Sequence, residues 1–170
     1  MATNYNTESG FRVSAGGNNK FIGNTANHND DGFSLPVNED EEVVGSNQLN
    51  SNNADGNDEG FHLATENNIL VGNTATNNSI GFNLESDTDG SANNNHLRAN
   101  IATNNNTLID DEFPDVAIGI KVHYGATGNN IVKNRVAGSG NVDLEDNNPL
   151  CDANNWGNNI FVTASQPCIH

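Results

Sequence analysis

The sequence predicts an all-β fold: a parallel β-helix, or solenoid, of about six to seven short coils closed at its C-terminal end by a disulfide-bonded cap. Three observations carry the solenoid. A Gly-apolar-x-apolar tetrad recurs along the chain, a second short apolar segment ending in Asn accompanies it, and whole blocks repeat. Residues 18–35, "NNKFIGNTANHNDDGFSL", align without a gap on residues 67–84, "NNILVGNTATNNSIGFNL". Self-similarity at a period of some 20–50 residues is what stacked supersecondary units leave in a sequence.

The tetrads are "GFRV" from Gly10, "GFSL" from Gly32, "GFHL" from Gly60, "GFNL" from Gly81, "GIKV" from Gly119 and "NVDL" from Asn141. Their starts lie 22, 28, 21, 38 and 22 residues apart, a base period of about 22 with insertions in two coils. Because Gly and Asn best tolerate a left-handed backbone, the first tetrad position reads as a corner. Strand alternation then buries Phe11/Val13, Phe33/Leu35, Phe61/Leu63, Phe82/Leu84, Ile120/Val122 and Val142/Leu144. It turns Arg12, Ser34, His62, Asn83, Lys121 and Asp143 outward in one row, and Ser14, Pro36, Ala64, Glu85, His123 and Glu145 in the next.

The second strand ends at Asn24, Asn73, Asn100 and Asn134, with a degenerate copy at Leu49–Asn52 and a last one in "NNIFVT". Two strands and two or three corners per coil follow. A buried amide both donates and accepts, so Asn24, Asn73, Asn100 and Asn134 are expected to bond to one another in a ladder, with a second column near Asn27, Asn77 and Asn104. Ala26, Ala75 and Ala102 beside them are expected to keep that corner tight.

Composition sets limits on partners. The chain has 36 Asn, 17 Gly, only 6 Lys plus Arg and a net charge of −16. Such polarity normally signals disorder, but a disordered chain has no reason to keep apolar residues at fixed offsets. Nucleic acid and anionic membrane surfaces are excluded as partners, since both need Lys and Arg against phosphate. No apolar run is long enough to span a bilayer. The opening "MATNYNTESG" lacks the basic and apolar regions of a signal peptide, so the protein is either intracellular or exported by a signal outside this chain. The two cysteines favour export.

The repeat unit "NNxxxGNxAxxNxxxGFxL" and the ending "NVDLEDNNPLCDANNWGNNIFVTASQPCIH" resemble right-handed parallel β-helix repeat proteins of the pectin lyase-like superfamily, in particular the NosD-like and carbohydrate-associated repeats. The resemblance spans nearly the whole chain and implies repeats over 1–144 and a capping segment, continuous with the solenoid, over 145–170. In the ending, Trp156 can cover the last coil. A Cys151–Cys168 disulfide would close the segment with roughly 3 kcal/mol of loop entropy and imply an oxidising, extracellular or cell-surface location; the alternative is two free buried thiols. The N-terminal end has no comparable cap, so upstream coils or domains, or self-association through that edge, are expected.

The superfamily contains lyases, hydrolases, epimerases and non-enzymes, so fold alone does not assign activity. The chain has no Asp-Pro-His, no Gly-His-Gly and no Arg/Lys pair beside an acidic cluster, the signatures of its enzymes. The leading expectation is a structural, adhesive or glycan-binding module for polysaccharide or cell-surface glycan. The alternative is a carbohydrate-active enzyme, or a fragment of one. The candidate ligand face is His62, Asn83, Glu85, Lys121, His123, Asp143 and Glu145, where imidazoles, acids and a Lys could bind or exchange protons. No cofactor is certain. "DGNDEGFHLATE" sets Asp55, Asn57, Glu59 and Glu66 at positions of a calcium loop but overlaps a strand, so irregular calcium there or at Asp87 and Asp89 is the metal expectation. A flat Thr array for ice begins at Thr25 and Thr74 but is broken by Ile101 and Arg135.

Overall fold

The structure, a computed structural model, describes residues 1–14, 16–37, 45–86, 91–106 and 117–170. Each coil contains three short strands. In chain order they are β1 (Ala2–Asn4), β2 (Phe11–Arg12) and β3 (Lys20–Ile22); β4 (Thr25–Asn27), β5 (Asp31–Leu35) and β6 (Gln48–Asn50); β7 (Asn53–Asp55), β8 (Glu59–Leu63) and β9 (Ile69–Val71). The lower coils are β10 (Thr74–Thr76), β11 (Ile80–Leu84) and β12 (His96–Arg98); β13 (Ile101–Thr103), β14 (Ile118–Val122) and β15 (Asn130–Val132); β16 (Arg135–Ala137), β17 (Val142–Asp146) and β18 (Asn155–Gly157). The first, second and third strands of successive coils pair in parallel into three six-stranded sheets, here A, B and C. This is a parallel β-helix of six coils.

The count of two strands per coil is therefore corrected to three. The "TAN", "TAT" and "IAT" segments read as tight corners are the strands of sheet A. Their central Ala26, Ala54, Ala75 and Ala102 point inward and are fully buried. The broken Thr column is as aligned from sequence: Thr25, Asn53, Thr74, Ile101 and Arg135 share one register row.

Four interior columns fill the triangle. Sheet B supplies Phe11, Phe33, Phe61 and Phe82, continued by Ile120 and Leu144, and beside them Leu35, Leu63, Leu84 and Val122. The four rings stack at centroid separations of 4.9, 4.9 and 4.7 Å, the intercoil repeat itself, and such pairs add about 0.5–1.5 kcal/mol each beyond burial. Sheet C supplies Phe21, Leu49, Leu70, Leu97, Ile131 and Trp156.

Most corners follow one rule: a residue with positive φ, then an Asn that is buried or half-buried. Gly23, Ser51, Gly72, Ala99, Lys133 and Asn158 precede Asn24, Asn52, Asn73, Asn100, Asn134 and Asn159. In this ladder each Nδ2 donates to the Oδ1 of the Asn in the next coil at 3.0–3.1 Å, and the backbone N–H does so at 2.9 Å. A second ladder runs Asn19, Asn47, Asn68, Asn95, Asn129 and Asn154. The third is Asn6, Asn29, Asn57, Asn78 and Asn105, which corrects the column expected at Asn27, Asn77 and Asn104. Asn77 and Asn104 instead hold the positive φ just before the rungs.

The tetrad glycines are not the left-handed residues. A Cβ on Gly81 would stand 2.5 Å from the carbonyl oxygen of Gly119, and one on Gly32 would stand 2.6 Å from that of Gly60. Close approach of successive coils demands Gly there. It also corrects the last coil, where Lys121 pairs with Glu145 and Val122 with Asp146. Asp143, not Asn141, stands in the Gly position, and "NVDL" is two residues out of register with the other tetrads.

The C-terminal segment closes the stack. Asp146 takes the interior place of Val122 and is buried because four donors meet it: Trp156 Nε1 at 2.8 Å, Asn154 Nδ2 at 3.1 Å, and Asn148 N and Nδ2, both at 2.9 Å. Ile160 and Ala164 begin a partial further turn by bridging Arg135 and Leu144. The Cys151–Cys168 disulfide is formed, so the free-thiol alternative falls.

Candidate functional site

The outward side of sheet B carries the chemistry. Its register row is Arg12, Ser34, His62, Asn83, Lys121 and Glu145. Beyond the strand ends Glu85 and His123 follow in line, their N–H groups donating to Leu63 and Leu84 of the neighbouring coil. Glu145 thus belongs to the row of Lys121 rather than that of His123. Asp143 leaves the face: it is buried, and its carboxylate accepts from Ser139 N at 3.2 Å, Val162 N at 2.8 Å and Thr163 N at 3.3 Å. Its role is to fasten the cap.

Strand alternation missed two members of the face. At each tetrad the Gly and the following Phe both face inward, since a Cβ on Gly32 would also meet Ala54 Cβ at 2.9 Å in the core. The alternation therefore slips by one residue, and the acids that precede the glycines, Asp31 and Glu59, emerge beside Ser34 and His62. The signal was the repeated acid-Gly pair, "DG" at 31–32 and "EG" at 59–60.

His62 sits at the centre. Its Nε2 is 2.6 Å from Glu85 Oε2, and its Nδ1 is 3.5 Å from Asp31 Oδ2 and 3.4 Å from Ser34 Oγ. Burial opposes its charge, but the hydrogen bonds to Asp31 and Glu85 and the field of Glu59 outweigh that and raise its pKa to about 10. Asp31 is likewise opposed by burial yet held below the usual carboxylate range by His62. Glu59 is dominated by burial, which pushes it up to about 7. Asn83 Nδ2 donates to Glu59 Oε1 at 2.8 Å. Asp31, Glu59 and His62 present ligand atoms all within 4.8 Å of one another.

Lower on the face the environment changes. Burial and Lys121 depress the pKa of His123, and its Nε2 is buried without a hydrogen-bond partner among the described residues. Among the described residues Lys121 enters no ion pair. The next residue, Tyr124, is 72% exposed and was not singled out from sequence.

The remaining metal candidates are dispersed. Asp55 lies on sheet A, accepting from Thr76 Oγ1 and Asn77 Nδ2, both at 2.7 Å. Asn57 is a ladder rung, and Glu66 occupies the exposed corner between sheets B and C. Of that group only Glu59 reaches the cluster on sheet B. Asp87 and Asp89 lie outside the described residues, as do residues 38–44 and 107–116 of the two insertions. No helix among the described residues is long and apolar enough to cross a membrane.

The three parallel sheets and the stacked Asn ladders define a parallel β-helix. Comparison of the chain with protein-family models, curated proteins and solved structures finds no match.

Proposed function

We propose that this chain is a non-catalytic, secreted or surface-displayed β-helix module of the pectin lyase-like kind, acting as a rigid support that binds a neutral polysaccharide or cell-surface glycan on the outward side of sheet B. The observation that carries the reading is His123 Nε2, a buried polar atom without a hydrogen-bond partner among the described residues, on the face that also offers Lys121, in no ion pair among those residues, and next in the chain to the exposed Tyr124. Unsatisfied buried polar atoms are uncommon in folded proteins and often mark a place completed by another molecule. A sugar supplies hydroxyls to such atoms and a C–H face to an aromatic ring. The charge of −16 favours neutral glycans over uronates, and the disulfide accords with an oxidising location.

The test is a glycan array read with the full chain in chelator. Selective binding of neutral glycans, weakened about tenfold or more by His123→Ala and Tyr124→Ala, is expected, as alanine at a contact that anchors binding costs more than ~1 kcal/mol. Binding indifferent to both substitutions, or turnover of any member of a polysaccharide panel, would overturn the reading.

A further inference from the structure

We propose that Asp31, Glu59 and His62, with Asn83 beside them, form a binding site for a divalent cation of the zinc type. The three residues come from two adjacent coils, β5 and β8, and Asn83 from the next, β11. Their geometry suits a small ion. Ligands about 2.0–2.1 Å from a tetrahedral centre lie roughly 3.4 Å apart, and His62 Nδ1 and Asp31 Oδ2 are 3.5 Å apart.

The observation that points to a ligand is separate from the cluster's own contacts. Asn83 is 4% exposed, and its Nδ2 bond to Glu59 anchors its head group against the site. Among the described residues its Oδ1 has no hydrogen-bond partner, and neither does Glu59 Oε2, on the carboxylate that Asn83 holds. Two desolvated acceptors without a donor leave their burial cost uncompensated. A cation satisfies both at once, whereas a further hydrogen-bond acceptor would worsen the repulsion.

His62 is oriented for the role. With Nε2 held by Glu85 at 2.6 Å, His62 turns Nδ1 toward Asp31, and a carboxylate on the far ring nitrogen is the arrangement that fixes a ligating imidazole. One nitrogen and three oxygens match zinc. Calcium takes six to eight oxygens and no imidazole. Ligation by Nδ1 requires His62 to give up its second proton, so binding releases protons.

Isothermal titration of the full chain with ZnCl2, and separately with CaCl2, tests this in two buffers of different ionisation enthalpy. The expected result is one zinc per chain, proton release, and no competition from calcium. Glu59→Gln and His62→Ala should each weaken zinc by ~100-fold or more, and Glu85→Gln by about 10–100-fold, with circular dichroism unchanged for the two isosteric variants. His170→Ala, at an exposed imidazole far along the chain, should bind as the parent does. Binding that survives Glu59→Gln, disappears in His170→Ala, or yields to calcium would overturn the site. The glycan measurement is made in chelator, so failure of either reading is seen independently of the other.

Discussion

Replacing Asn73 by Ala removes one rung of a ladder and leaves its neighbours in place. Asn73 is fully buried. Its Oδ1 accepts from Asn52 N at 2.9 Å and Asn52 Nδ2 at 3.0 Å, while its Nδ2 donates to Leu49 O at 2.8 Å and Asn100 Oδ1 at 3.1 Å. Two of the four partners keep another bond: Asn52 Nδ2 still reaches Phe21 O, and Asn100 Oδ1 still accepts Asn73 N. The Asn52 N–H loses its side-chain acceptor inside the corner, at about 1–3 kcal/mol, and the other lost bonds add about 0.5–1.5 kcal/mol each. Side-chain freedom regained on truncation returns up to ~1 kcal/mol. The expected loss is about 4 kcal/mol, or a fall in Tm of roughly 8–16 °C for a chain of this size. Asn50→Ala is the comparison, a half-buried Asn on the outer side of the neighbouring coil, expected within about 0.5 kcal/mol of the parent. Thermal and urea unfolding followed by circular dichroism measure both. If Asn73→Ala lost no more than Asn50→Ala, the ladders would not be what holds the coils in register.

Gly81→Ala places a methyl 2.5 Å from the Gly119 carbonyl and is expected to cost more than ~3 kcal/mol or to block folding. Gly23→Ala, at φ +64 with nothing within 4 Å, should cost only the ~1–2 kcal/mol of a left-handed Ala; equal losses would refute close approach as the reason for the tetrad glycines. In chelator, stability should fall as pH rises. Glu59 binds its proton more tightly folded than unfolded, so its contribution is lost from pH 4.5 to about 7, and that of His62, complete below 6.5, is lost as pH climbs through about 10. Thermal scans from pH 6 to 10 should show Tm decreasing, and His62→Gln should flatten the upper part of that slope. Reducing Cys151–Cys168, which are 17 positions apart, should cost roughly 3 kcal/mol and loosen the cap, read as a red shift of Trp156 fluorescence; an unchanged spectrum and Tm would show the cap holds without it.

The repeat spacing already contained the solenoid, because coils that stack need the same residue types at the same offsets. Phe33, Phe61 and Phe82, Leu35, Leu63 and Leu84, and the Asn73–Asn100–Asn134 column could be read directly, since each is an identity recurring at one period. The disulfide was legible as the only pairing two cysteines allow. Three things needed the tertiary structure. Sheet A was invisible as a strand because its inward residue is Ala, too small to register as a hydrophobic signal, and it is small because the tetrad glycines of sheet B press against it. The last coil slipped register because Asp143 and Asp146 occupy positions held elsewhere by Gly and Val, an exchange that works only where the cap supplies donors. Asp31 and Glu59 joined His62 because close packing at Gly32 and Gly60 shifts the alternation by one residue. Identity and period fix which side chains recur; which of them meet depends on how closely one coil can approach the next.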